Sequence, residues 1–285
     1  MVEKKDDNQS QSLNEAIDYN INEHREMTIL DYYTNPYGKG STFVNVKKMK
    51  EDLELRYDKM LATEHAKLVS KVYRKGRKDK AEFFILVRIP SESIRDLYYE
   101  VVVQLLPSRE TEHAKTINNY RVKFFSNTPS FVFTFAYTYN VHNLIVEDCK
   151  KKFSKDSLRN SPIIRNQHNM VGLEKSIYYA CHYIMNNLSD LDTLDRVAHD
   201  YNPKKFLELI MDTDEKLQEY RVMQRIAKEK EAKEKSSSQG VIRRSKNEIE
   251  KQPKARTPRT EKATGKSPIT GKAKKAKVKG KKKLK

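Results

Sequence analysis

The residues best placed to do chemistry are lysines and arginines near the C-terminus. Within 251–285 stand Lys251, Lys254, Arg256, Arg259, Lys262, Lys266, Lys272, Lys274, Lys275, Lys277, Lys279, Lys281, Lys282, Lys283 and Lys285, against one acid, Glu261. A run of cations on a backbone of Ala, Gly, Pro and Thr has almost nothing to bury. It cannot offset its ordering entropy and is expected to be disordered. Its chemistry is phosphate neutralisation: each cation that meets a phosphate releases condensed counterions, so affinity falls steeply with salt and depends little on base sequence. Nucleic acid, DNA first, is the expected partner. An acidic protein or anionic surface, and a merely solubilising tail, are the alternatives. In a nucleated cell Arg243-Arg244-Ser245-Lys246 would also open a nuclear localisation signal.

Partitioning the charge shows how far this segment stands apart. The 285-residue chain has a net charge of +18, but residues 1–220 hold 33 Lys+Arg and 33 Asp+Glu, whereas 221–285 hold 24 and 6. A neutral body with a basic interaction tail is the reading. The stretch Lys272–Lys283, with Thr257-Pro258-Arg259 and Lys266-Ser267-Pro268 upstream, resembles linker-histone and bacterial histone-like tails. That resemblance implies phosphate-directed binding without strong sequence preference.

The body offers weaker candidates. Arg74, Lys75, Arg77, Lys78 and Lys80 crowd one expected hairpin tip, which either grips nucleic-acid phosphate or is a solvated turn, and Arg121 and Lys123 would join them if their strands were neighbours. The aromatics of Phe131–Tyr139 form either a base-stacking platform or a core face. Tyr37–Thr42 is glycine-rich but too short for a phosphate loop, and reads as a turn. Asp192, Asp195 and His199 at i, i+3 and i+7 could share a helix face, yet no second ligand cluster accompanies them. Cys181 and His182 are adjacent, so on a helix they face differently. His65, His113, His142 and His168 are isolated. GxSxG, HExxH, paired CxxC and dinucleotide-loop patterns are missing. A non-enzymatic protein with no catalytic residue, metal or cofactor is expected.

These residues need elements to position them. The spacing of Val46, Met49, Leu53, Tyr57 and Met60 predicts a helix over 44–61. Alternation predicts strands at Lys67–Arg74, Glu82–Ile89, Tyr98–Leu106, Tyr120–Phe125 and Phe131–Tyr139, with a hairpin around Gly76 and stops at Pro90 and Pro107. Helices are expected at Leu144–Phe153, at Leu173–Leu188, from Ser189 to about His199, and from Pro203 through Phe206, Ile210, Leu217, Tyr220 and Ile226. Ser236–Gly240 is expected to break the last. The fold class is α+β: a mostly antiparallel sheet of about five strands, an N-terminal helix, a C-terminal helical section and a basic disordered tail. The domains are a polar arm at 1–27, the body at 28–226, a charged helix and linker at 227–250 and the tail at 251–285.

No apolar run approaches a membrane span, charged residues make up 34%, and mean hydropathy is −0.86. No membrane is expected as a partner. The N-terminus lacks the apolar core of a secretory signal. Two lone cysteines suggest a reducing compartment. Tyr32–Ser41 and Phe124–Phe131 are similar to segments of tailed-phage proteins from low-GC hosts. This resemblance implies a virion or assembly protein, in the particle or the host cytoplasm, whose body contacts other structural proteins or itself. A DNA-binding regulator or nucleoid-type protein is the alternative, and a nucleic-acid enzyme the third reading.

Overall fold

A computed structural model describes residues 26–37, 45–63, 67–77, 80–108, 114–162, 166 and 171–250, with side chains as far as residue 233. Contacts divide the chain into two units, 1–233 and 234–285. The first is α+β. Its elements are α1 (Ile29–Thr34), α2 (Val46–Leu61), β1 (Val69–Lys75), β2 (Glu82–Pro90), β3 (Tyr98–Leu106), β4 (Arg121–Ser126), α3 (Pro129–Thr134), α4 (Ala136–Val141), a 3-10 turn (Glu147–Lys152), α5 (Lys155–Arg159), α6 (Lys175–Asn187), α7 (Leu191–Val197), β5 (His199–Asp200), α8 (Pro203–Glu208) and the start of α9 (Thr213–Glu250). Of the second unit, only the backbone of α9 to Glu250 is described.

The sheet order is β4-β3-β2-β1-β5, antiparallel except where β5 joins β1 in parallel. Gly76 takes the left-handed φ of 96° that lets the chain reverse between β1 and β2. The apolar runs of β2 and β3 are buried on both sides, which explains why their alternation is incomplete. One face, carrying Ile85, Val101 and Phe124, is covered by α6, on which α1 and α2 rest. On the other, Phe84 stacks on Tyr201 at 4.0 Å and meets Phe206 at 5.8 Å. Phe125 meets Phe153 at 5.0 Å on that side.

Four expected elements differ. The segment Phe131–Tyr139 is not a strand: it forms α3 and α4. Thr128 caps α3 by accepting from the Phe131 N–H at 3.3 Å, and Pro129 fits the first turn. The fifth strand is instead the short β5. The expected helix at Leu144–Phe153 begins as extended backbone, because Phe124 donates to Leu144 O and accepts from Val146 N, filling the outer edge of β4. The helix after Ser189 is capped by Asp190, which accepts from Thr193 N at 2.8 Å, and it stops at Val197 because His199 is drawn into the sheet. The helix from Pro203 divides into α8 and α9 around Leu209–Asp212, where tight i to i+3 bonds close α8. Downstream α9 continues through Ser236–Gly240 to Glu250. Its neighbours are rich in Ala, Glu, Lys and Arg, whose propensity carries the helix past weak formers. The arm ends inside the fold: Met27 is buried and its carbonyl accepts from Val122 N.

Candidate functional site

The basic residues of the body do not converge. Arg74 projects from the α6 side of the sheet, 2.8 Å from Asp195 and 3.8 Å from Asp200, and these carboxylates hold its guanidinium pKa above the ordinary value. Lys75 projects from the opposite face and pairs with Glu82 at 3.6 Å. Arg121 and Lys123 share that face but stand on β4, three strand spacings from β1, or roughly 14 Å. Arg121 reaches Glu26 at 3.3 Å. Lys123 donates to Asn143 Oδ1 at 3.0 Å, and burial depresses its ammonium pKa. Glu82 lies between the two groups and also accepts from Gln104 at 3.0 Å. Acids thus interrupt the expected basic patch. Arg77 and Lys80 remain exposed at the hairpin tip; Lys78 and all of 251–285 lie outside the described residues.

The aromatic platform is split by the helical fold. Phe131 and Tyr139 are fully buried, while Phe133 is 59% exposed. The Tyr139 hydroxyl donates to Gly172 O at 2.9 Å and lies 3.1 Å from that of Tyr32.

The remaining sequence candidates are spent on structure. Asp190 caps α7, Asp195 holds Arg74, and His199 lies against Tyr73. Among the described residues no group of three His, Cys, Asp or Glu is placed to hold a metal ion. The Cys181 thiol is buried and its pKa is driven far up by desolvation. His182 uses its ring nitrogens on Tyr33 and Asn186, each at 3.0 Å. Tyr37 reaches Met49; Gly38–Thr42, His65, His113 and His168 lie outside the described residues.

A buried polar centre at Ser126-Asn127-Thr128 is absent from the sequence-based candidates. Asn127 accepts from the Glu100 N–H at 2.9 Å and donates to the Glu100 carboxylate. Lys216, 3% exposed, stands 3.6 Å from that carboxylate and donates to Tyr98 O at 2.9 Å. On the other side Ser126 Oγ lies 3.0 Å from both Thr128 Oγ1 and Ser176 Oγ. Ser176 donates to Glu174, which also accepts from the Ile177 N–H at 2.9 Å and so caps α6. Burial raises the Glu174 pKa against the opposing pull of these hydrogen bonds. One signal was available: a glutamate in the apolar run of β3 must find a partner.

Thr128, Glu174 and Ser176 floor a cleft of about 230 Å³ walled by Tyr99, Tyr179 and Tyr220. Glu174 accepts from the Ser176 and Thr128 hydroxyls and from the Ile177 N–H, so its carboxyl caps α6 and ties that helix to the segment that follows β4. No helix among the described residues is long and apolar enough to cross a membrane. Compared with family models, curated proteins and solved structures, the chain finds no match in any of the three.

Proposed function

We propose that this chain is a non-enzymatic structural or assembly protein whose body makes protein–protein contacts and whose segment 251–285 tethers it to nucleic acid through phosphates. The observation that carries the reading is the charge partition: the whole excess of +18 falls beyond residue 220. The pairing of Arg74, Lys75 and Arg121 with acids supports it from the other side, because those cations are already neutralised. The particle context, a phage virion with the tail directed to packaged DNA, comes from the resemblance alone. It is tested by the protein's presence in purified particles at fixed copy number.

The tether is tested by duplex binding across a salt series, with and without residues 251–285. Six to ten phosphate contacts would weaken the full chain on the order of a thousandfold or more between 50 and 200 mM salt. Deletion is expected to abolish most retention and flatten the slope. Unchanged binding by the truncated chain would refute the assignment to the tail.

A further inference from the structure

A second basic surface lies within the described fold. Arg221, Arg225 and Lys228 of α9 are all exposed. Their i, i+4, i+7 spacing sets them on one helix face, within an arc of about 60°. This is not the packed face, which presents Tyr220 and Met223 to Ile94, Leu97 and Tyr99. Unlike Arg74, Lys75 and Arg121, none of the three forms an ion pair among the described residues. Even Glu229, four residues beyond Arg225, makes none with it.

We infer that the Arg221–Arg225–Lys228 face of α9 is a duplex nucleic-acid contact, additional to the tail. Two guanidinium forks and an ammonium on neighbouring turns can engage phosphates directly, with no internal pair to break first. The basic segment follows in the same chain. A duplex held by it would therefore meet this face at the effective concentration of a tethered partner. The inference rests on the proposed tether. An anionic bilayer is the poorer fit, because the exposed apolar residues beside the basic ones are only Val222 and Ile226, set among Glu219, Glu229, Lys230 and Lys233. That is little apolar area to bury at a membrane interface.

The test compares three full-length proteins on one duplex over a salt series: wild type, Arg221→Glu/Arg225→Glu/Lys228→Glu, and a charge-matched control, Lys47→Glu/Lys48→Glu/Lys204→Glu, at exposed sites elsewhere. Thermal melts check that each is folded. The α9 variant is expected to bind with a log–log slope shallower by about 2.7, three contacts at about 0.9 each, while the control keeps the wild-type slope. Equal losses in both variants, or an unchanged slope in the α9 variant, would overturn the inference and leave the tether standing. Phosphatidylserine vesicle binding that depends on the three residues, with the duplex slope unmoved, would overturn it in favour of a membrane. A wild type that does not retain duplex at all would remove the tether and this inference together.

Discussion

The segments Arg121–Ser126 and Phe131–Tyr139 carry the same kind of alternation, yet one is the edge strand β4 and the other is the helical pair α3–α4. An alternating run of nine contains the set i, i+4, i+8 that lines one side of a helix. Phe131, Phe135 and Tyr139 are that set, and their rings form edge contacts with Tyr139 at 5.2 and 6.1 Å. Two local features decide. Thr128-Pro129 supplies a cap and a first-turn proline. The outer edge of β4 is already filled, by Met27–Ile29 at one end and Leu144–Val146 at the other, so no strand can add there. Apolar alternation marks burial; the punctuation before it selects the element.

The largest effect should separate the two readings directly. On a strand Phe131 and Phe133 would share a face and matter alike. In the helical arrangement Phe131 is fully buried and Phe133 is 59% exposed. Phe131→Ala is therefore expected to cost about 3–5 kcal/mol in denaturant unfolding, and Phe133→Ala to stay within about 0.5 kcal/mol. Comparable losses at both positions would restore the strand.

The same contrast explains what was legible in the sequence. The helix at 46–61, the Gly76 hairpin and strands β1 to β4 could be read from local periodicity and turn chemistry, and so could the α+β class. The misses required distant partners. His199 becomes a strand residue only because Tyr73 lies beside it, and Leu144–Val146 is extended because Phe124 needs edge partners. The candidate sites follow the same rule. The charge partition is a property of composition and needed no fold. The basic residues of the body could be counted in the sequence, but their partners are remote and could not: Asp195 for Arg74 at the hairpin, Glu26 for Arg121 on β4. The basic face of α9 was visible as spacing but lay hidden beside the apolar stripe of Leu217 and Tyr220.

A smaller effect should come from the punctuation itself. Thr128→Ala removes the cap on α3 and a hydroxyl from the Ser126–Ser176 cluster. A loss of about 1–2 kcal/mol is expected, with Thr128→Ser recovering most of it because the serine hydroxyl can accept the same N–H. If the alanine variant were neutral, the cap would not be what turns the chain from strand to helix.

The smallest and most specific effect concerns pH. Glu174 joins the end of β4 to α6 through Ser176, Thr128 and the Ile177 N–H, and burial raises its pKa above the ordinary 4.5. A carboxyl whose folded pKa lies above its unfolded one binds more protons when folded within that interval. Its contribution to stability is therefore greatest at low pH and is lost as pH rises from about 4.5 through the folded value. Glutamine keeps an acceptor for the Ile177 N–H and an amide donor for the hydroxyls, but carries no charge to desolvate. The stability difference between wild type and Glu174→Gln should thus shift against the wild type as pH rises above about 4.5, measured by urea unfolding at a series of pH values. A difference that stays constant with pH would mean that the hydrogen bonds to Glu174 fully offset its burial.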